Sequence, residues 1–201
     1  MNKIRGFKIK LRKREILKSL KYNSDFVSIS PEIEKTIQDQ IENAYEIIYP
    51  SIIYETYSGD SEKYSSVKED VMMNSAKVKE VLSNSEIFTV MAATIGSKLE
   101  EKIDSIKNKD LTAATILDAV GSEAAEQCVN FISKIIRKEA SKKECYLGMR
   151  FSPGYGDWPI EASGKILNLF EMDKIGLRVN ESGIMLPRKS ITAIQPWIPE
   201  K

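Results

Sequence analysis

Residues 144–170 read ECYLGMRFSPGYGDWPIEASGKILNLF. The first eight have the apolar and aromatic content of a strand. PIEASGKILNLF spaces its apolar residues as a helix does, with Asp157 ahead of it as a cap. Between the two, Phe151-Ser152-Pro153-Gly154-Tyr155-Gly156-Asp157-Trp158 crowds two glycines, a proline and three rings behind Arg150. A turn needs glycine or proline, but it has no use for an arginine held before it or for large rings around it. A strand leading through such a loop into a helix, with no regular alternation of strand and crossover helix along the chain, reads as α+β with mixed helices around a largely antiparallel twisted sheet.

The flanks extend that pattern. Downstream, IGLRVNESGIMLPRKSITAIQPW (175–197) reads as a hairpin turned at Glu181-Ser182-Gly183, followed by a further strand. Upstream, AATILDAVGSEAAEQCVNFISKIIRKEA (113–140) is one long helix capped near Asp110, preceded by the amphipathic helix SKLEEKIDSIKN (97–108) and the buried strand EIFTVMAAT (86–94). SIIYETYS (51–58) and YSSVKEDVMM (64–73) read as strands joined through Gly59-Asp60-Ser61, with a short helix over Ser75 to Leu82. Ser30 and Pro31 open a helix whose stripe is Ile33, Ile37, Ile41, Tyr45 and Ile48, ending before Pro50, and KREILKSLKY (13–22) is a shorter helix. In IRGFKIKLR (4–12) basic and apolar residues alternate as in an edge strand, with Ile9 and Leu11 inward and Lys8, Lys10 and Arg12 in water. That reading is preferred to a nucleic-acid-binding arm, although residues 1–21 carry nine Lys or Arg against Glu15 alone. No linker and no internal repeat interrupts the chain, so one domain over 1–201 is expected.

Composition excludes several chemistries. The chain of 201 residues is 42% hydrophobic and 29% charged, with no apolar run long enough for a bilayer and no secretory leader, so a cytoplasmic location is expected. Cys128 and Cys145 lack metal-ligand spacing. There is no histidine, which removes Ser-His-Asp and Cys-His catalysis and imidazole-bound metals together.

Within the loop, the guanidinium of Arg150 offers a planar fork suited to a carboxylate. Gly154 and Gly156 let a ligand approach the backbone, and Tyr155 and Trp158 offer flat faces for a ring or a cation. The set suits a small zwitterion with an aromatic base. A structural corner built on glycine and proline is the competing reading.

The order and spacing of Arg150-Phe-Ser-Pro-Gly154-Tyr155, then a helix, then Glu181-Ser182-Gly-Ile-Met185-Leu-Pro187-Arg-Lys-Ser190 resemble the activation (reactivation) domain of cobalamin-dependent methionine synthase. The resemblance runs from about residue 86 onward. It implies a free-standing domain that binds S-adenosylmethionine, whose methyl group restores cobalamin oxidised to the cob(II)alamin state on a partner, with an electron from a flavodoxin or ferredoxin-type donor. The partner implied is a methionine synthase core or another corrinoid protein. By the same resemblance Arg150 holds the methionine carboxylate, the backbone of Ser152 and Gly154 contacts the ligand, Tyr155 lines the pocket, and Glu126 faces the positive end or the amine. Ser190 and Met185 are expected near the pocket, in an architectural role. Where the family often has a His-Thr pair this chain has Gly156-Asp157-Trp158, and where a tyrosine can follow the last strand it has Gln195. The family's early acidic contact has no clear counterpart, and neither Asp25 nor Asp60 is assigned to it. Two other functions fit the sequence: an independent methyltransferase using the same ligand, and a non-enzymatic interaction module.

Overall fold

The computed structural model describes residues 1–22, 29–73, 75–83, 85–170 and 175–200. Its centre is a sheet ordered β1-β2-β3-β7-β4, from Asn2–Arg5, Ser51–Ser58, Ile87–Thr94, Ser190–Pro199 and Cys145–Leu147, with every neighbouring pair antiparallel. β5 (Arg178–Val179) and β6 (Met185–Leu186) form a separate two-stranded ribbon. The expected α+β class with an antiparallel sheet is the one observed.

The strands are apolar on both faces because helices cover both. Successive residues of β2 alternate between two cores: Ile52 and Tyr54 face one, Ile53 and Tyr57 the other. In β3, Met91 and Ala93 oppose Phe88, Val90 and Ala92 in the same way. The first core lies under α1 (Lys13–Ser19), α2 (Pro31–Ile47), α5 (Lys98–Ile106) and α6 (Leu111–Ser141); the second lies under α3 (Tyr64–Met72), α4 (Ala76–Ser83) and α7 (Ala162–Asn168). At 31 residues, α6 is about 46 Å long at 1.5 Å per residue. Its cap is the expected one, Asp110 accepting from the Ala113 N–H at 2.9 Å. Ser30 likewise caps α2 through the Ile33 N–H, with Pro31 at the first helical position.

Three expectations are corrected. Residues 64–73 are not a strand: Tyr64–Met72 is α3, because Val67 and Val71, four residues apart, both enter the second core. The N-terminal strand pairs only through Arg5, since Gly6 turns the chain at φ +64° and gives its N–H to Pro50. The alternation continues beyond it all the same, with Leu11 buried, Ile9 half-buried and Lys8, Lys10 and Arg12 exposed. Asp157 does not cap α7, which begins at Ala162; its carboxylate serves α4 instead. Asp25 lies outside the described residues. Asp60 accepts from the Ser58 hydroxyl within the turn after β2.

Candidate ligand-binding site

Beyond β4 the chain keeps alongside β7, but with an irregularity that aims Arg150. Leu147 pairs with Trp197, and Phe151 pairs with Ile194 through two 2.9 Å backbone hydrogen bonds. Four steps along one strand therefore face three along the other, and the one extra residue throws Arg150 off the sheet toward α6, as a bulge does. There Nη2 of Arg150 reaches Oε2 of Glu126 at 2.5 Å and Nη1 reaches Oδ1 of Asn130 at 3.1 Å, partners one helical turn apart. The Arg150 side chain is 21% exposed and that of Glu126 44%, so the pair sits at the rim where a ligand can reach it. Two of the five guanidinium donors are engaged.

Asn130 was not foreseen from the sequence, though a signal existed. Glu123, Glu126, Gln127, Asn130 and Ser133 form a polar stripe at helical spacing through the otherwise apolar α6. Each of these contacts is answered. Arg12 donates to Glu123 from Nε at 2.8 Å and from its backbone N–H at 3.3 Å, and Gln127 donates to the same oxygen at 2.7 Å. Glu123 holds the guanidinium of Arg12 in its charged form even more firmly than usual. Ser133 donates to Gln195 at 2.7 Å, and Gln195 donates to the Gly148 carbonyl at 3.0 Å, fixing the approach to Arg150. A groove of about 490 Å³ adjoins Glu126, walled by Arg12, Glu15, Lys18 and Glu123.

The loop itself is tied down from inside. Gly154 takes φ +90° and donates its N–H to the Trp158 carbonyl at 2.8 Å, while a Cβ at that position would meet no atom within 4 Å. The bare backbone of Gly154 therefore faces open space, although its amide is already committed. Tyr155 is 67% exposed, its ring free to meet a ligand. Trp158 was expected to offer a second flat face and does not: it is 1% exposed, stacks on Phe151 at 5.8 Å between centroids, and donates its indole N–H to the Val71 carbonyl at 2.8 Å. Asp157 accepts from Ser75 Oγ at 2.6 Å and from the Ala76 N–H at 2.7 Å; the hydroxyl and the helix N–H groups hold its carboxyl below the usual range.

Of the five expected site residues, Glu126 and Arg150 are in direct contact, and Ser152, Gly154 and Tyr155 follow within five residues of Arg150. Among the described residues, no hydrogen bond joins the loop side chains to the ion pair. The Ser190 hydroxyl donates to the Pro187 carbonyl at 2.6 Å and accepts from the Thr94 hydroxyl at 2.8 Å. Among the described residues, no three of Cys, Asp or Glu converge as metal ligands, and no helix is long and apolar enough to cross a membrane.

A five-stranded antiparallel sheet covered by helices on both faces is a fold already known. The structure is similar to that described as "Crystal Structure of the MetH Reactivation Domain bound to AdoHcy", with a TM-score of 0.62 and 13% identity over 94% of this chain and 76% of that one. The chain thus has the fold of a MetH reactivation domain. No protein-family model matches the sequence, and no curated protein matches it.

Proposed function

We propose that this chain binds S-adenosylmethionine and serves as a reactivation module for a cobalamin-carrying methionine synthase or a related corrinoid protein. The observation that carries the reading is the Arg150–Glu126 pair at the rim of the bulge, one cation and one anion within 2.5 Å, beside an open glycine turn. An α-amino acid end carries one charge of each sign. Its carboxylate is matched by the free donors of Arg150 and its ammonium by the second oxygen of Glu126. Ser152 and Gly154 then offer carbonyl and Cα surface, and the exposed ring of Tyr155 offers a face to the base or to the sulfonium.

When bound, the sulfonium supplies a methyl group that is already activated for transfer. What remains for this chain is to hold the amino acid end fixed, to present the methyl group outward from the Gly154–Tyr155 turn, and to limit water around it. None of these tasks needs a proton donor or acceptor, in keeping with a chain that has no histidine. Cobalamin belongs, on this reading, to the partner protein in the cytoplasm, and the electron comes from a flavodoxin or ferredoxin-type donor.

Calorimetric titration of S-adenosylmethionine into the wild-type chain and into Arg150→Ala tests the proposal. Saturable binding weakened by at least about tenfold in the variant is expected, the loss of one charge-assisted contact. Absence of binding to the wild type, or equal binding to both, overturns it.

A further inference from the structure

The ligand site leaves unused the largest charge asymmetry in the chain. Residues 1–21 hold nine Lys or Arg and one Glu in a chain of net charge +1, so the other 180 residues are net −7. Among the described residues, the ion pairs from this segment join the N-terminal amine to Glu55, Arg12 to Glu123, Lys13 to Glu34 and Lys18 to Glu15. Lys3, Arg5, Lys8 and Lys10 are exposed and belong to none of them. A row of like charges without local partners repels itself, a cost that an anionic partner removes.

Lys8 lines a groove of about 370 Å³ between residues 6–9 and the end of α2, with Lys10 two residues further along the chain. Its floor is Phe7, Ile9 and Ile48, and its walls are Tyr45 and Tyr49, which are 46% and 57% exposed. These are large areas of ring for a surface position, and the Tyr45 ring and the Tyr49 backbone are fixed in advance. The Tyr45 hydroxyl accepts from the Leu11 N–H at 2.9 Å. Tyr49 is held by its N–H on the Ile95 carbonyl at 2.8 Å and lies against Gly6, where a Cβ would come within 3.3 Å of the ring. Phe7 is pinned beneath by stacking on Phe131 at 4.3 Å. A groove formed before binding loses little side-chain entropy when it is filled.

From this geometry we infer that the face docks an extended acidic segment of a partner protein, one apolar side chain seated between Tyr45 and Tyr49 and carboxylates set against Lys8 and Lys10. Two features favour such a segment. Lys8 and Lys10 alternate along extended chain, about 6.6 Å apart at the strand rise, the same repeat as alternate side chains of an extended peptide. The apolar floor also asks for a buried side chain, which a phosphate backbone or a lipid headgroup does not supply. Since β1 is an outer strand of the sheet, Lys3 and Arg5 repel the same edge of a second copy while attracting an acidic one. This inference stands apart from the ligand reading and does not depend on it.

Fluorescence anisotropy with four probes tests it: a short synthetic peptide of glutamates with one central Phe, the same peptide with Ser in place of Phe, an oligothymidylate, and phosphatidylserine vesicles. The Phe peptide is expected to bind the wild type, with affinity falling as salt rises. The Ser peptide, the Lys8→Glu/Lys10→Glu variant and Tyr49→Ala should each lose about tenfold, the first and third through the groove and the second through charge. Circular dichroism and S-adenosylmethionine titration of the variants show whether the fold and the other site are intact. Equal binding of the two peptides, binding of oligothymidylate or vesicles but not peptide, indifference to the lysine reversals, or no binding of any probe overturns the inference.

Discussion

Asp157 and Ala76 are 81 positions apart in sequence, yet the Asp157 carboxylate accepts the Ala76 N–H at 2.7 Å. The same carboxylate takes the Ser75 hydroxyl at 2.6 Å, and Ser75 Oγ in turn accepts from the Val78 N–H at 3.1 Å. The glycine loop thus adds a carboxylate to the first turn of α4 beside the Ser75 cap, and the neighbouring Trp158 donates to the Val71 carbonyl within α3. A loop rich in glycine becomes a defined surface because both of its last residues are moored to another part of the chain.

Asp157→Asn keeps an acceptor but removes the charge from the first turn of α4. The folded carboxyl titrates below its ordinary value of 3.8, so its contribution is present above that pH and lost as pH falls through the lower folded value. Thermal melts at pH 7 should place the variant below the wild type by roughly a few degrees. The gap should close as pH drops below about 4. A gap that persists at pH 2 would show that geometry rather than charge matters at this position.

Gly121 sits inside α6, where alanine would normally add about 1 kcal/mol of stability. Here a Cβ would lie 2.7 Å from Cδ2 of Leu99, a fully buried side chain that packs α5 against α6. Gly121→Ala is therefore expected to destabilise by about 1–3 kcal/mol through overpacking. In a Leu99→Ala background the same change should cost little or become favourable, because the obstructing methyl is gone. Urea unfolding of the four members of the cycle measures this.

Much of the architecture was legible because local and tertiary signals agreed. SIIYETYS is β2 over the expected residues, and the caps of α2 and α6 are the residues that sequence chemistry picks out. YSSVKEDVMM was misread because Tyr and Val suit strands and the segment is short, whereas the spacing of Val67 and Val71 decides for a helix once both are buried. In the site, Arg150 and the glycine turn were visible, since few plain turns need that mixture. The burial of Trp158 was not visible, because it depends on where Val71 lies. Asn130 was marked only as one member of the polar stripe on α6; its contact with Arg150 comes from a bulge that no local pattern marks.

Glu126 separates the two uses of the candidate site. As a half-exposed ion pair with Arg150 it contributes at most about 1 kcal/mol, so Glu126→Gln should leave the melting temperature nearly unchanged. If Glu126 receives the ammonium of the ligand, the same variant should bind S-adenosylmethionine about tenfold more weakly, and an analogue lacking the amine should bind wild type and variant alike. Calorimetry with both ligands reads the difference. Equal losses for the two ligands would assign Glu126 to orienting Arg150 instead.

Cys128 is fully buried on α6, and burial pushes its thiol up to about 12 from an ordinary 9.0. At neutral pH it is a protonated, apolar side chain, so an aromatic disulfide reagent should leave it untouched in the native protein and react once urea unfolds the chain. The raised value also sets a direction with pH. The fold favours the neutral thiol, so the contribution is complete below about 9 and declines as pH rises through 9 toward 12, where the unfolded chain ionises first. Cys128→Ala removes that dependence and leaves only a small cavity in the core. Melting curves at pH 8 and pH 10 should therefore show the wild type losing more stability than the variant over that interval; equal losses would mean that the thiol is reached by solvent in the native state.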